Sequence, residues 1–177
     1  TPYGVRRRGD LILALRLRER MKALRREYEI FQKPAPDWVT NAGADAHLYL
    51  EEPEKALVRY RQLLSKGWDP ANGNITMAKY YTLVELGKYA EAEKVLEEFD
   101  VKTPAQLVDR GVLMDNPRKQ EIALNRGWLL LYQDRLSKAQ PTVDDLMSRS
   151  PFDSGTRNLM AHTDLWRGWP RLALEDF

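Results

Sequence analysis

The sequence predicts an all-α solenoid of about five helix–turn–helix hairpins wound into a right-handed superhelix, and three observations carry that prediction. The first is a ladder of alanines, Ala23, Ala56, Ala92, Ala139 and Ala173, evenly spaced except for a longer step from Ala92 to Ala139. The second is a break-and-restart signal ahead of the last four: Glu52-Pro53, Gly87-Lys88-Tyr89, Asp134-Arg135-Leu136 and Gly168-Trp169-Pro170. Inside one continuous helix a proline costs about 3 kcal/mol. A glycine that closes one helix and a proline that opens the next make a tight turn instead. The third is the set twelve residues upstream of the alanines, Leu11, Ala44, Tyr80, Gly127 and Ala161, mostly small. Small residues on two antiparallel helices let the backbones approach closely.

The period, about 34 residues, is that of the tetratricopeptide (TPR) repeat. Gly87 to Ala92, with Phe99 seven residues on, is the best copy, and Gly127, Ala139 and Pro151 make a second. The first hairpin is expected over residues 5–33, with Leu11, Leu15, Leu24, Tyr28 and Phe31 in its core and Pro34-Ala35-Pro36 closing it. The second spans 37–68 and runs into Gly67-Trp68-Asp69-Pro70; the third spans 73–100. An insert over 101–119 explains the long step in the ladder, and Thr103 as N-cap before Pro104 starts a short extra helix there, or the segment is a loop. The fourth hairpin covers 120–150, where Pro141 implies a kink or a late helix start, and the fifth covers 154–177. Together they are expected to form one TPR domain over 1–177.

Composition suits this class. With 43% hydrophobic residues in 177 the chain can fill a core, as a stack of hairpins does. The longest apolar run, Leu11 to Leu15, is far short of the roughly 18 residues of a membrane span. No signal peptide is read at Thr1 to Arg8, and the ending at Phe177, partway into a helix, suggests an excised piece. Cysteine is absent, so thiolate chemistry and disulfides are excluded. Net charge is +2, but residues 1–33 hold ten Lys/Arg against four Asp/Glu, leaving the remainder acidic.

Trp38, Ala46-His47-Leu48-Tyr49-Leu50, Pro53-Glu54-Lys55-Ala56, the insert before Asn125 and Trp128, Ser150-Pro151, Gly155-Thr156-Arg157 and the run Arg167-Gly168-Trp169-Pro170-Arg171-Leu172-Ala173 carry a resemblance. Over nearly the whole chain it resembles the periplasmic TPR region of the outer-membrane porin that exports poly-N-acetylglucosamine in Gram-negative biofilm formers. Pro141 departs from that pattern, and no β-barrel is present here. The resemblance implies a periplasmic scaffold joined in the full-length protein to a C-terminal β-barrel, which would be its membrane attachment. Its partners would be the partly de-N-acetylated polymer and the periplasmic deacetylase.

The residues give their own indication of a binding face. In a TPR stack the first helix of each hairpin lines the concave side. Counted back from the alanines, one column holds Asp45, Tyr81, Trp128 and His162, the next Tyr49, Glu85, Tyr132 and Trp166, and a third includes Asn41 and Asn158. Offsets of four share a helix face, so these form one strip. Aromatic faces stack on pyranose C–H surfaces, amides and carboxylates bond hydroxyls, and Asp45 or Glu85 can pair with a glucosammonium group. The same aromatics also suit packing between hairpins, and an aromatic groove equally takes a peptide or helix, which is the reading as a general protein–protein adaptor.

Other chemistry is poorly supported. His47 and His162 lie on different hairpins without a second ligand at helical spacing, so no metal or cofactor is expected. Asp144-Asp145 and Glu51-Glu52 are adjacent in sequence and diverge on a helix. No phosphate-binding loop or nucleophile elbow occurs, and an enzyme is not expected. Of the arginines at 6–8, 16, 18, 20, 25 and 26, Arg8 and Arg16 fall in the inner columns and the others scatter around their helix, so nucleic acid is not the expected partner; a solvated face or a protein interface is.

Overall fold

In a computed structural model, residues 8–31, 33–109 and 112–168 are described. The helices are α1 (Arg8–Ile30), α2 (Asp37–Tyr49), α3 (Pro53–Ser65), α4 (Pro70–Glu85), α5 (Tyr89–Lys102), α6 (Pro117–Tyr132), α7 (Leu136–Arg149) and α8 (Ser154–Trp166), with strands β1 (Gln106–Asp109) and β2 (Val112–Asp115) between α5 and α6. The chain divides into two compact units, Thr1–Val95 and Leu96–Phe177, each described by itself.

The turns within the hairpins share one geometry. Glu51, Gly87, Asp134 and Gly168 all take positive φ, at 60°, 68°, 57° and 76°. Around the first three, the next amide reaches back to a carbonyl in the last turn of the preceding helix: Glu52 N to His47 O at 2.9 Å, Lys88 N to Leu83 O at 2.9 Å and Arg135 N to Leu130 O at 2.8 Å. This left-handed cap ties off the carbonyls at the helix end. Ala56, Ala92 and Ala139 each stand five residues after such a positive-φ residue and are fully buried. The turn sets the register, and the alanine lets the second helix seat against the first.

In the first unit the core is Ala44, Leu48, Ala56, Tyr60, Leu63 and Ile75, with Trp68 packed against it. In the second it is Leu130, Leu131, Ala139, Val143, Leu146 and Leu159. Gly127 is what admits Leu159: a Cβ built there would lie inside 3.0 Å of Leu159 Cδ2, closer than real Cβ atoms come. The small residue at this position therefore serves the contact of α6 with α8, the first helix of the following pair.

Several expectations need correction. The hairpin expected over residues 5–33 is not found among the described residues, because α1 is one helix of 23 residues from Arg8 to Ile30. Between Asp10 and Ile30 there is no glycine, proline or asparagine to break it, and Ala23 is exposed rather than packed. The insert is neither a helix nor a plain loop. β1 and β2 pair antiparallel, Leu107 opposite Met114 and Val108 opposite Leu113. Thr103 is not an N-cap; its hydroxyl donates to Phe99 O at 2.7 Å and closes the end of α5. Asn116 is the true cap, accepting from Arg118 N at 3.0 Å while donating to Pro104 O at 2.8 Å, so one side chain starts α6 and draws the insert shut. With Pro117 at the first helical position, α6 begins before residue 120. There is no late start at Pro141, since α7 begins at Leu136 and contains it. Trp169, Pro170 and Ala173 lie outside the described residues.

Candidate functional site

In the second unit the candidate residues converge. Trp128 and His162 are separated by one repeat length, so they occupy equivalent places on α6 and α8. The close approach at Gly127 brings them together, ring centroids 5.0 Å apart and planes at 64°. Tyr132, one turn further along α6, stacks on Trp128 at 6.2 Å and 27°. On α8, Asn158 and Trp166 flank His162 at four residues either side, on the same face. Tyr132 is 41% exposed and Trp166 47%. Asp153 fixes the start of α8 by accepting from Thr156 N at 2.8 Å and Thr156 Oγ1 at 2.9 Å. The result is an open aromatic platform of two packed helices with an amide at its edge, able to stack on a flat apolar ring face and bond a polar rim.

In the first unit the candidate residues have more varied surroundings. Asp45 accepts from Tyr60 Oη at 2.6 Å, so one carboxylate oxygen is engaged inside its own hairpin. Burial pushes the Asp45 carboxyl up, and the Tyr60 hydrogen bond opposes it. Asn41 Oδ1 is enclosed without a hydrogen-bond donor among the described residues. Tyr49 is 48% exposed at the end of α2. Tyr81 meets Tyr80 edge-on at 5.2 Å, and Glu85 is half-buried in the last turn of α4. Tyr60 as partner was open to inference: Asp45 lies seven residues before Glu52 and Tyr60 seven after Pro53, so antiparallel helices bring them level. Less visible is the pair His47–Glu52, Nδ1 to Oε2 at 2.6 Å, which joins the end of α2 to the start of α3. Lys55 and then His47 hold the Glu52 carboxyl down at about 2.

No protein-family model matches the sequence, and no curated protein matches it. Solved structures do. The structure titled MamA MSR-1 C2 is 15% identical, with 96% of this chain and 88% of that one covered, at a TM-score of 0.59. TTC0263, a thermophilic TPR protein of Thermus thermophilus, is 18% identical, with 95% of this chain and 86% of that one covered, at a TM-score of 0.60. The fold is TPR-like. In TPR terms α2, α4, α6 and α8 are the first helices of their pairs, and all ten candidate residues stand on them. Among the described residues there is no group of three metal-ligating side chains and no helix long and apolar enough to cross a membrane.

Proposed function

We propose that this chain is a TPR scaffold that holds a glucosamine-based polysaccharide on the first helices of its hairpins. The observation that carries this is the ring cluster of half-buried Trp128 and His162 with exposed Tyr132, and exposed Trp166 on the same face of α8. Its resemblance to the exporter's TPR region supplies the ligand class: poly-N-acetylglucosamine, partly de-N-acetylated, handled in the periplasm ahead of an outer-membrane β-barrel. Docking of the periplasmic deacetylase belongs to the same reading. Stacking supplies affinity for acetylated and deacetylated units alike, because it uses ring C–H surface. Discrimination for the deacetylated form falls to Glu85 and Asp45, whose carboxylates attract an ammonium group and do so less as salt rises.

The test is titration of acetylated and deacetylated glucosamine oligomers of increasing length into the chain, followed by calorimetry. Affinity is expected to rise with length. Trp128→Ala and Trp166→Ala should each lose about 1 kcal/mol, roughly fivefold, for both ligand types. Glu85→Gln should weaken only the deacetylated oligomers. Full binding by Trp128→Ala, or no binding at millimolar oligomer, refutes the sugar platform and leaves a peptide-binding adaptor.

A further inference from the structure

On the first unit, two arginines overhang the helix that also carries Asn41 and Asp45. Arg25 on α1 donates from Nη2 to Thr40 Oγ1 at 3.0 Å. Arg59 on α3 lays its guanidinium over Gly43, one turn further along α2, where a built Cβ would be 3.5 Å from Nη1 and 3.7 Å from Cζ. Two guanidiniums from helices on either side thus cover consecutive turns of α2. Among the described residues neither has a carboxylate within ion-pair distance. The acids on and flanking α2 are engaged elsewhere: Glu52 by His47 at 2.6 Å, Lys55 at 2.7 Å and Arg18 at 3.8 Å, Asp37 by Lys66 at 2.9 Å, and Asp45 by Tyr60 Oη at 2.6 Å. Burial lowers the Arg59 pKa, and the like charge of Arg25 lowers it further. A half-buried cation beside another cation is unfavourable unless something neutralises it.

We infer that Arg25 and Arg59, over the bare backbone at Gly43, form a binding site for an oxyanion group, carboxylate or phosphoryl. A guanidinium presents a planar fork of donors that matches such groups, and two forks at adjacent turns can hold one anion between them. This site uses other residues and another chemistry than the aromatic platform of the second unit, although it lies on the same helix as Asn41 and Asp45.

The test uses the whole chain with inorganic phosphate, and separately acetate, against chloride at matched ionic strength. Thermal unfolding and the arginine Nε–Hε resonances are followed in the parent, Arg25→Gln, Arg59→Gln and, as a control, the exposed Arg26→Gln. In the parent, a ligand bound only by the folded state raises the melting temperature with the concentration dependence of a binding site, and two side-chain resonances shift with it. Either glutamine variant should bind about tenfold more weakly, the size of one lost charge-assisted hydrogen bond; Arg26→Gln should match the parent. In chloride alone Arg59→Gln should be at least as stable as the parent, because the uncompensated charge is gone, and phosphate should reverse that order. Should Arg59→Gln fold poorly, Arg59→Lys, which keeps the charge and loses the fork, is read the same way for binding. A response to phosphate or to acetate that the variants lack supports the site and tells tetrahedral from planar anions. An equal response in parent and Arg59→Gln, or none to either anion, overturns it.

Discussion

Replacing Gly127 by alanine separates close packing from helix propensity. Alone on a helix the change is favourable by about 1 kcal/mol, since glycine is the poorer helix former. Here the new Cβ would lie inside 3.0 Å of Leu159 Cδ2, against about 3.5–4.0 Å for two carbons at their optimum. Leu159 is fully buried among Leu130, Leu131, Ala139, Val143 and Leu146, so moving its methyl means repacking these neighbours. Overpacking of this kind costs about 1–3 kcal/mol. The net expectation is a loss of about 1 kcal/mol, or roughly 2–4 °C in melting temperature for a chain of this size. In a Leu159→Ala background the obstacle is gone and Gly127→Ala should become stabilising, although Leu159→Ala itself costs about 2–5 kcal/mol. The assay is a double-mutant cycle by thermal and urea unfolding, read by far-ultraviolet circular dichroism and tryptophan fluorescence. A sign change between backgrounds is expected. If Gly127→Ala stabilises the parent by its full propensity gain, α6 and α8 do not meet at this glycine and the platform built on that contact is wrong.

Three further outcomes follow from the turns and the titrating groups. Asp134 holds φ at 57° without being glycine, so Asp134→Gly should stabilise by about 0.5–1 kcal/mol, and Gly87→Ala should destabilise by about as much; melting temperatures decide both. Glu52 titrates at about 2 in the folded chain against 4.5 ordinarily, so its contribution is complete above pH 4.5 and is lost as pH falls towards 2. The urea midpoint of Glu52→Gln should therefore fall less steeply than the parent's in that window, and identical slopes would refute the hub with His47 and Lys55. Asp45 has the opposite sign: burial raises its carboxyl, so stability is greatest while it is protonated and is lost as pH rises through its folded value. Asp45→Asn should accordingly be more stable than the parent near neutral pH and lose that advantage at about pH 3, as measured by unfolding at both.

The hairpin array was legible because it is written in local signals. Glu52-Pro53, Gly87 and Asp134 mark left-handed turns that depend on a few adjacent residues, and an alanine a fixed distance later repeats the seat for the second helix. The repeat period then places Trp128 and His162 at equivalent positions, and Gly127 brings their rings together. The tertiary structure decided what depends on partners distant in the chain. The insert became a strand pair because Asn116 joins Pro104 across twelve residues, something no propensity at Thr103 could announce. The run from Arg8 to Ile30 stayed one helix because a period of alanines cannot break a segment that has no turn residue. Asp45 turned to Tyr60, and Arg25 and Arg59, on helices well separated along the chain, came to lie over the same helix. Helical spacing gives the face a side chain occupies, while its charge environment is set by what other helices bring to that face.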